Sequence, residues 1–363
     1  MSGRGWAWCR HLRDGGTTPW SAWAGADAEA QGPYLPGAQQ LELLRRLNHA
    51  GRTPLELAHR VLTASAPGRG RPDLELVGAA PARGFGPLPV DPADLPDDEL
   101  LRVATSLLAE DVVAAGLPDP PRPGWVRPWR RAYRLAGDPW RAWPVREELV
   151  RRGRPPGGRR PLAVVLGTDL HTLLRHAYTA RVVGEGGPAW ADWLARAAAS
   201  DTLPPRADLA AVASRWEARV GRSRVRVVLD DAALPRLLGT RRTLPAPPKP
   251  SAAAVDLARR VAAPLGLLVL PDRRAALLRR TLLPRLLDAD PDGAALTVPA
   301  QHTAWLADRA EWLREAVVSA DYPVMGSPDG LRPAPMAGAS DAGCDAAVLA
   351  LALRLLLAGG EEP

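Results

Sequence analysis

The chain has 363 residues and 46% hydrophobic against 24% charged residues, ordinary usage for a folded protein long enough for one large domain or two smaller ones. Its formal charge is +7, yet the only lysine is Lys249, in the Pro-rich stretch Ala246-Pro247-Pro248-Lys249-Pro250, so this arginine-rich chain has 46 Arg. That skew excludes a Walker-A lysine and a Schiff-base lysine, and two cysteines, Cys9 and Cys344, exclude a disulfide framework and a Cys-rich zinc site.

The N-terminal third reads as helical. Leu41, Leu44 and Leu47 share a face of a helix at 38–49. A second helix at 53–65 opens with Thr53 as N-cap, Pro54 at the first position and Glu56 completing a capping box. A third at about 97–115 buries Leu100, Val103, Ala104, Leu107 and Leu108 and stops at Gly116. Leu74–Val77 is a candidate short strand. The Pro/Gly-rich run at 116–128 marks a boundary, which divides the chain into a mainly helical region 1–121, an α/β domain 122–335 and a C-terminal helix within 336–363.

Beyond the boundary, apolar strand candidates Ala132–Ala136, Leu162–Leu166 and Val225–Leu229 alternate with helices at about 139–152, 169–184, 188–199 and 207–220. Continuous Val/Leu runs between amphipathic helices predict an α/β fold, a mostly parallel sheet flanked by helices. Further helices are predicted at about 252–263, 271–288, 299–320 and 341–358, with Leu267–Leu270 as an additional candidate strand. The apolar run Ala346–Ala358, interrupted by Arg354, is too short to span a bilayer, and the N-terminus has no apolar signal core. A cytoplasmic protein without membrane contact is the expectation.

A parallel sheet gathers its ligands beyond the carboxyl ends of its strands, which here brings forward Gly137-Asp138-Pro139, Gly167-Thr168-Asp169 and Asp230-Asp231. Asp138 and Asp169 are equally well placed as helix N-caps. Of six histidines only His171 and His176 lie near a strand end, and none has metal-ligand spacing. Asp288-Ala289-Asp290-Pro291-Asp292-Gly293 matches the start of a calcium loop, but Pro299 stands where the bidentate Glu belongs, so no metal is expected. Residues 122–160 hold twelve arginines against Asp138, Glu147 and Glu148, and Trp125, Trp129, Trp140 and Trp143 interleave with Arg122, Arg127, Arg130, Arg131, Arg134 and Arg141. This composition suits an anionic small molecule or glycan, and nucleic acid less well, and it reads equally as Trp replacing Phe and Arg replacing Lys throughout the chain. Trp6, Trp8, Trp20 and Trp23 form a second cluster, which reads as Trp standing in for Phe in a chain with 13 Trp and one Phe.

The run Pro161-Leu-Ala-Val-Val-Leu-Gly167-Thr-Asp169-Leu170, followed by Tyr178, Trp190-Ala-Asp-Trp193-Leu194, Asp208-Leu209, Arg215-Trp216 and Arg224-Val-Arg-Val-Val-Leu229, resembles the second half of high-GC bacterial sulfotransferases. Val298-Pro299, Trp305, Arg309, Asp321-Tyr322-Pro323-Val324-Met325-Gly326 and Leu331-Arg332-Pro333 are similar to that family's closing segment. The resemblance covers about 130–333. It implies a P-loop-like fold that moves a sulfuryl group from phosphoadenosine phosphosulfate, as co-substrate, to a hydroxyl or amine. Gly137, Asp138, Arg141 and Thr168 would then line the donor, and His176 or Asp169 would accept the proton. The family's Lys-containing phosphate turn corresponds here to Arg134-Leu-Ala-Gly137-Asp138-Pro139-Trp140, its 3′-phosphate Arg to Thr168 and the following Ser to His176. Gly16-Thr17-Thr18 repeats the phosphate-loop letters without a preceding strand. The nucleotide site is therefore degenerate, and a non-catalytic protein that binds an anionic sugar, nucleotide or protein partner is the alternative reading.

Overall fold

The computed structural model describes residues 3–31, 34–64, 73–79, 89–119, 125, 132–333 and 344–359. Four helices come first: α1 (Gly3–Arg13), α2 (Ala38–Ala50), α3 (Leu55–Thr63) and α4 (Asp97–Ala115). α1 buries Trp6, Trp8, Cys9 and Leu12, and α2 buries Leu41, Leu44 and Leu47, the face read from their spacing, together with Leu43. Asp97, Asp98 and Glu99 sit in the first turn of α4, where the helix dipole favours carboxylates, and Gly116 ends it at φ 67°.

The capping box predicted for the second helix does not form. Pro54 is extended (φ −60°, ψ 147°), so α3 begins at Leu55 and Thr53 falls one residue outside the cap position; its buried hydroxyl has no hydrogen-bond partner. Leu74–Val77 is not a strand either, since only Leu76 bridges Val90.

The sheet is α/β and all-parallel. It comprises β1 (Tyr133–Gly137), β2 (Leu162–Leu166), β3 (Val225–Val228) and β4 (Val324–Met325), side by side in chain order. Tyr133 pairs with Leu162, Ala163 with Val225 and Val227 with Val324. The first three strands were read from their Val/Leu runs, β1 one residue too early; β4 is too short for a periodicity. Because the order never reverses, these four strands contain none of the switch points that open a ligand crevice in doubly wound sheets.

The crossovers carry α5 (Pro139–Arg151), then α6 (Leu170–Glu185), α7 (Trp190–Ala199) and α8 (Leu209–Val220), and finally α9 (Leu234–Leu237), α10 (Ala252–Leu268), α11 (Pro271–Leu277), α12 (Leu283–Ala289) and α13 (Thr303–Ser319). The chain closes with α14 (Asp345–Gly359). One face of the sheet, with Leu135, Val164, Leu166 and Val228, packs on Ala142, Val145 and Leu149 of α5 and Leu234 of α9. The other, with Ala163, Val165, Val225 and Val227, joins a core that runs without a break through α6, α8 and α10 to α2, α4 and α14. α4 packs directly on α10 and α14, so the N-terminal helices and the sheet share that core.

Leu267–Leu270 is not a strand. α10 continues through Pro264 to Leu268, because a proline forfeits only its own donor when its ring is accommodated, and Leu267 and Leu270 project into solvent. Within the predicted 271–288 helix, Leu278–Leu282 is a π-turn between α11 and α12. Its cause is local: Pro284 cannot donate to the carbonyl of Arg280 and its ring crowds it, which the wider turn relieves. Among the described residues no helix is long and apolar enough to cross a membrane.

Candidate functional site

The post-strand turns meet at the carboxyl edge because the ladder continues into them. Asp138 N–H donates to Leu166 O (2.8 Å), and Gly167 N–H to Val228 O (2.9 Å). Gly137 makes the first closure possible: at φ 79°, a Cβ there would lie 2.2 Å from Leu166 O. The chain then turns Asp138 inward, where it is completely buried.

Both carboxylate oxygens of Asp138 are used. Oδ1 accepts from Trp140 N–H and Arg141 N–H (3.0 Å each), capping α5, and Oδ2 lies 2.6 Å from Nδ1 of His176 on the second turn of α6. A carboxylate only accepts, so Nδ1 carries a proton, and in the neutral ring the lone pair is then on Nε2. Asp138 is the hydrogen-bond partner of this ring among the described residues.

Arg141 is 7% exposed at its side chain and binds two other turns, donating through Nη1 to Gly167 O and through Nη2 to Asp231. It fastens the turns after β1, β2 and β3 together. Asp169 caps α6 by accepting from Thr172 N–H (3.0 Å), and Thr168 Oγ1 lies 3.4 Å from its other oxygen. Asp230 caps the turn after β3 by accepting from Ala232 N–H (2.9 Å). The side chain of Arg175, half-buried on α6, has no hydrogen-bond or ion-pair partner among the described residues; burial holds its guanidinium below the ordinary arginine value, against the pull of Asp169 and Asp138. His171 is buried, with Nε2 unpartnered, and burial pushes its imidazole below the ordinary value.

Gly137, Asp138, Arg141, Thr168, Asp169 and His176 thus all lie on this edge, and Asp138, Arg141 and His176 are linked directly. Asp169 makes no hydrogen bond to His176 and serves α6. The partner that sequence reasoning did not assign is Asp231 for Arg141; its signal was the Asp230-Asp231 doublet after β3.

The other sequence features have structural roles. Trp6, Trp8 and Trp20 are core residues, and the Gly16-Thr17-Thr18 loop is held by Asn48 donating to Gly16 O and Trp8 Nε1–H donating to Thr18 O. Asp290, in the calcium-like run, accepts from Ser251, the N-cap of α10, and pairs with Arg354 at 3.6 Å. Among the described residues no three His, Cys, Asp or Glu side chains converge as metal ligands. Of the Arg/Trp segment, Arg122, Arg127, Trp129, Arg130 and Arg131 lie outside the described residues, Trp125 is exposed, and Trp140 is buried with Nε1–H donating to Pro248 O (2.7 Å). A cavity of about 440 Å³ between α4, the end of α6 and α10 is remote from this edge; its Arg260 is paired with Asp256 and Asp98. Comparison of the chain with protein-family models, curated proteins and solved structures finds no match.

Proposed function

We propose that this chain is a sulfotransferase-like protein whose donor site has been closed, and that it binds an anionic small molecule or glycan without transferring a sulfuryl group. The seat of Asp138 carries the reading. A donor phosphate would need the free N–H groups at the start of α5, and a buried carboxylate already accepts from two of them. Arg141, in the first turn of α5, is spent on Asp231 and Gly167 O. The unbroken strand order also supplies no crevice there. Arg175, a guanidinium on this edge without a partner among the described residues, is the group available to an anion.

Calorimetric titration with phosphoadenosine phosphate, the desulfated donor product, tests this. No heat that depends on Arg141 or His176 is expected up to about 1 mM, equivalent to less than about 4 kcal/mol of binding at the strand edge. Micromolar binding that disappears in the Arg141→Ala/His176→Ala double variant would reverse it.

One observation favours a second reading, a diverged sulfotransferase. His176 is oriented through Nδ1 by a buried carboxylate with Nε2 left to take a proton, the arrangement a general base needs for an acceptor hydroxyl. Phosphoadenosine phosphosulfate would be its co-substrate. Sulfuryl transfer to any member of a hydroxyl and amine acceptor panel, abolished by His176→Ala, would select it.

A further inference from the structure

A second group of arginines lies away from the strand edge, where the π-turn at Leu278–Leu282 meets α5 and the end of α6. Arg279 lies over the ring of Trp143, its Cζ 5.4 Å from the centroid. The side chain also crosses the last turn of α6, where a Cβ on Gly184 would stand 4.0 Å from Nη2. Among the described residues its guanidinium has no hydrogen-bond or ion-pair partner, and Nε is buried. Among the described residues its five N–H donors therefore have no acceptor, on a side chain that lies over an indole ring.

The neighbours make the omission informative. Arg280, in the same turn, lies 3.4 Å from Glu147, and Arg206 is 3.0 Å from Glu185. Arg146, exposed one turn beyond Trp143 on α5, has no partner among the described residues. Four guanidinium groups thus face two carboxylates, which leaves two positive charges uncompensated. Burial holds Arg279 below the ordinary arginine value; Glu147 opposes this, and Arg146, Arg206 and Arg280 add to it. Repulsion among like charges is a cost that an anion would remove.

We propose that Arg279, with Arg146 and Arg280, forms a binding site for a doubly charged oxyanion, of the class of a phosphate monoester. The guanidinium over Trp143 provides the planar fork that two phosphate oxygens accept from, and the two surplus charges match a dianion rather than a monoanion. Glu147 stands beside the site and limits the charge it can take. The site uses none of the residues on the strand edge, so it does not depend on how that edge functions.

The test is equilibrium titration of the full chain at constant ionic strength with phenyl phosphate, inorganic sulfate and phenyl sulfate. The two dianions should saturate one site, and phenyl sulfate, a monoanion, should bind at least about fivefold more weakly. Arg279→Gln should weaken phenyl phosphate by about tenfold or more, and Arg146→Gln, an exposed change that leaves the core intact, by about threefold. Arg175→Gln should change nothing. The proposal fails if the wild type shows no saturable dianion binding, if Arg279→Gln and Arg146→Gln both bind like the wild type, or if Arg175→Gln abolishes binding, which would move the anion to the strand edge. Should Arg279→Gln not fold, Arg146→Gln and Arg279→Lys decide the matter.

Discussion

Replacing Asp138 separates its two duties. In Asp138→Ala the start of α5 loses the acceptor for two backbone N–H groups, worth about 1 kcal/mol for a capping residue. The change also leaves the buried Nδ1–H of His176 without a partner, a further cost of about 2 kcal/mol. The total is about 3 kcal/mol, a fall of about 1 M in the urea midpoint at an m value of about 3 kcal/mol/M. Asp138→Asn keeps an oxygen for the cap and offers Nδ1 an amide donor instead of an acceptor. The imidazole can meet it by moving its proton to Nε2, so the expected loss is only about 1 kcal/mol. Urea unfolding followed by tryptophan fluorescence and circular dichroism, run on Asp138→Ala, His176→Ala and the double variant, gives the coupling energy. About 2 kcal/mol is expected. A coupling within about 0.5 kcal/mol of zero, or an Asn variant as unstable as the Ala variant, would refute the claim that Asp138 and His176 act as a unit.

Gly137→Ala should destabilise by about 3 kcal/mol in the same assay, since it combines a left-handed backbone with a Cβ 2.2 Å from Leu166 O. Arg260 joins Asp98 of α4, Asp256 of α10 and Asp345 of α14, and Arg260→Met should cost about 2 kcal/mol and raise amide exchange in α14 before the sheet. Burial lowers the folded-state pKa of His171, so the unfolded chain binds its proton first. The stability this gives is complete above the ordinary imidazole value and is lost as pH falls below about 6.5; His171→Phe should flatten that part of the stability-versus-pH curve.

What could be read from the sequence follows the range of the interactions involved. Leu162–Leu166 was legible residue for residue because a fully buried parallel strand is a continuous apolar run. Asp138 and Asp169 were legible as caps, because a cap acts within three residues. Contacts across the chain were not. Arg141 meets Asp231 across 90 residues, and His176 meets Asp138 across 38, so only the sheet register brings them together. Val324–Met325 is too short to carry a period. The helix end expected at about 263 and the cap expected at Thr53 missed for one reason: local propensity named a helix boundary that packing placed elsewhere.

Strands laid side by side in chain order also have a mechanical meaning. Such a sheet can be opened from its margin one strand at a time, and β4, held through two residues, offers the least resistance. The turn after β3 leans on that strand: the N–H groups of Leu229 and Asp230 both donate to Met325 O, and Gly326 passes so close that a Cβ would lie 3.0 Å from Asp230 N. Peeling β4 away would loosen Asp231 and, through it, the grip on Arg141. The carboxyl edge therefore has a soft side at β4 and a firm one at β1 and β2, and hydrogen exchange should decline in that order across the sheet.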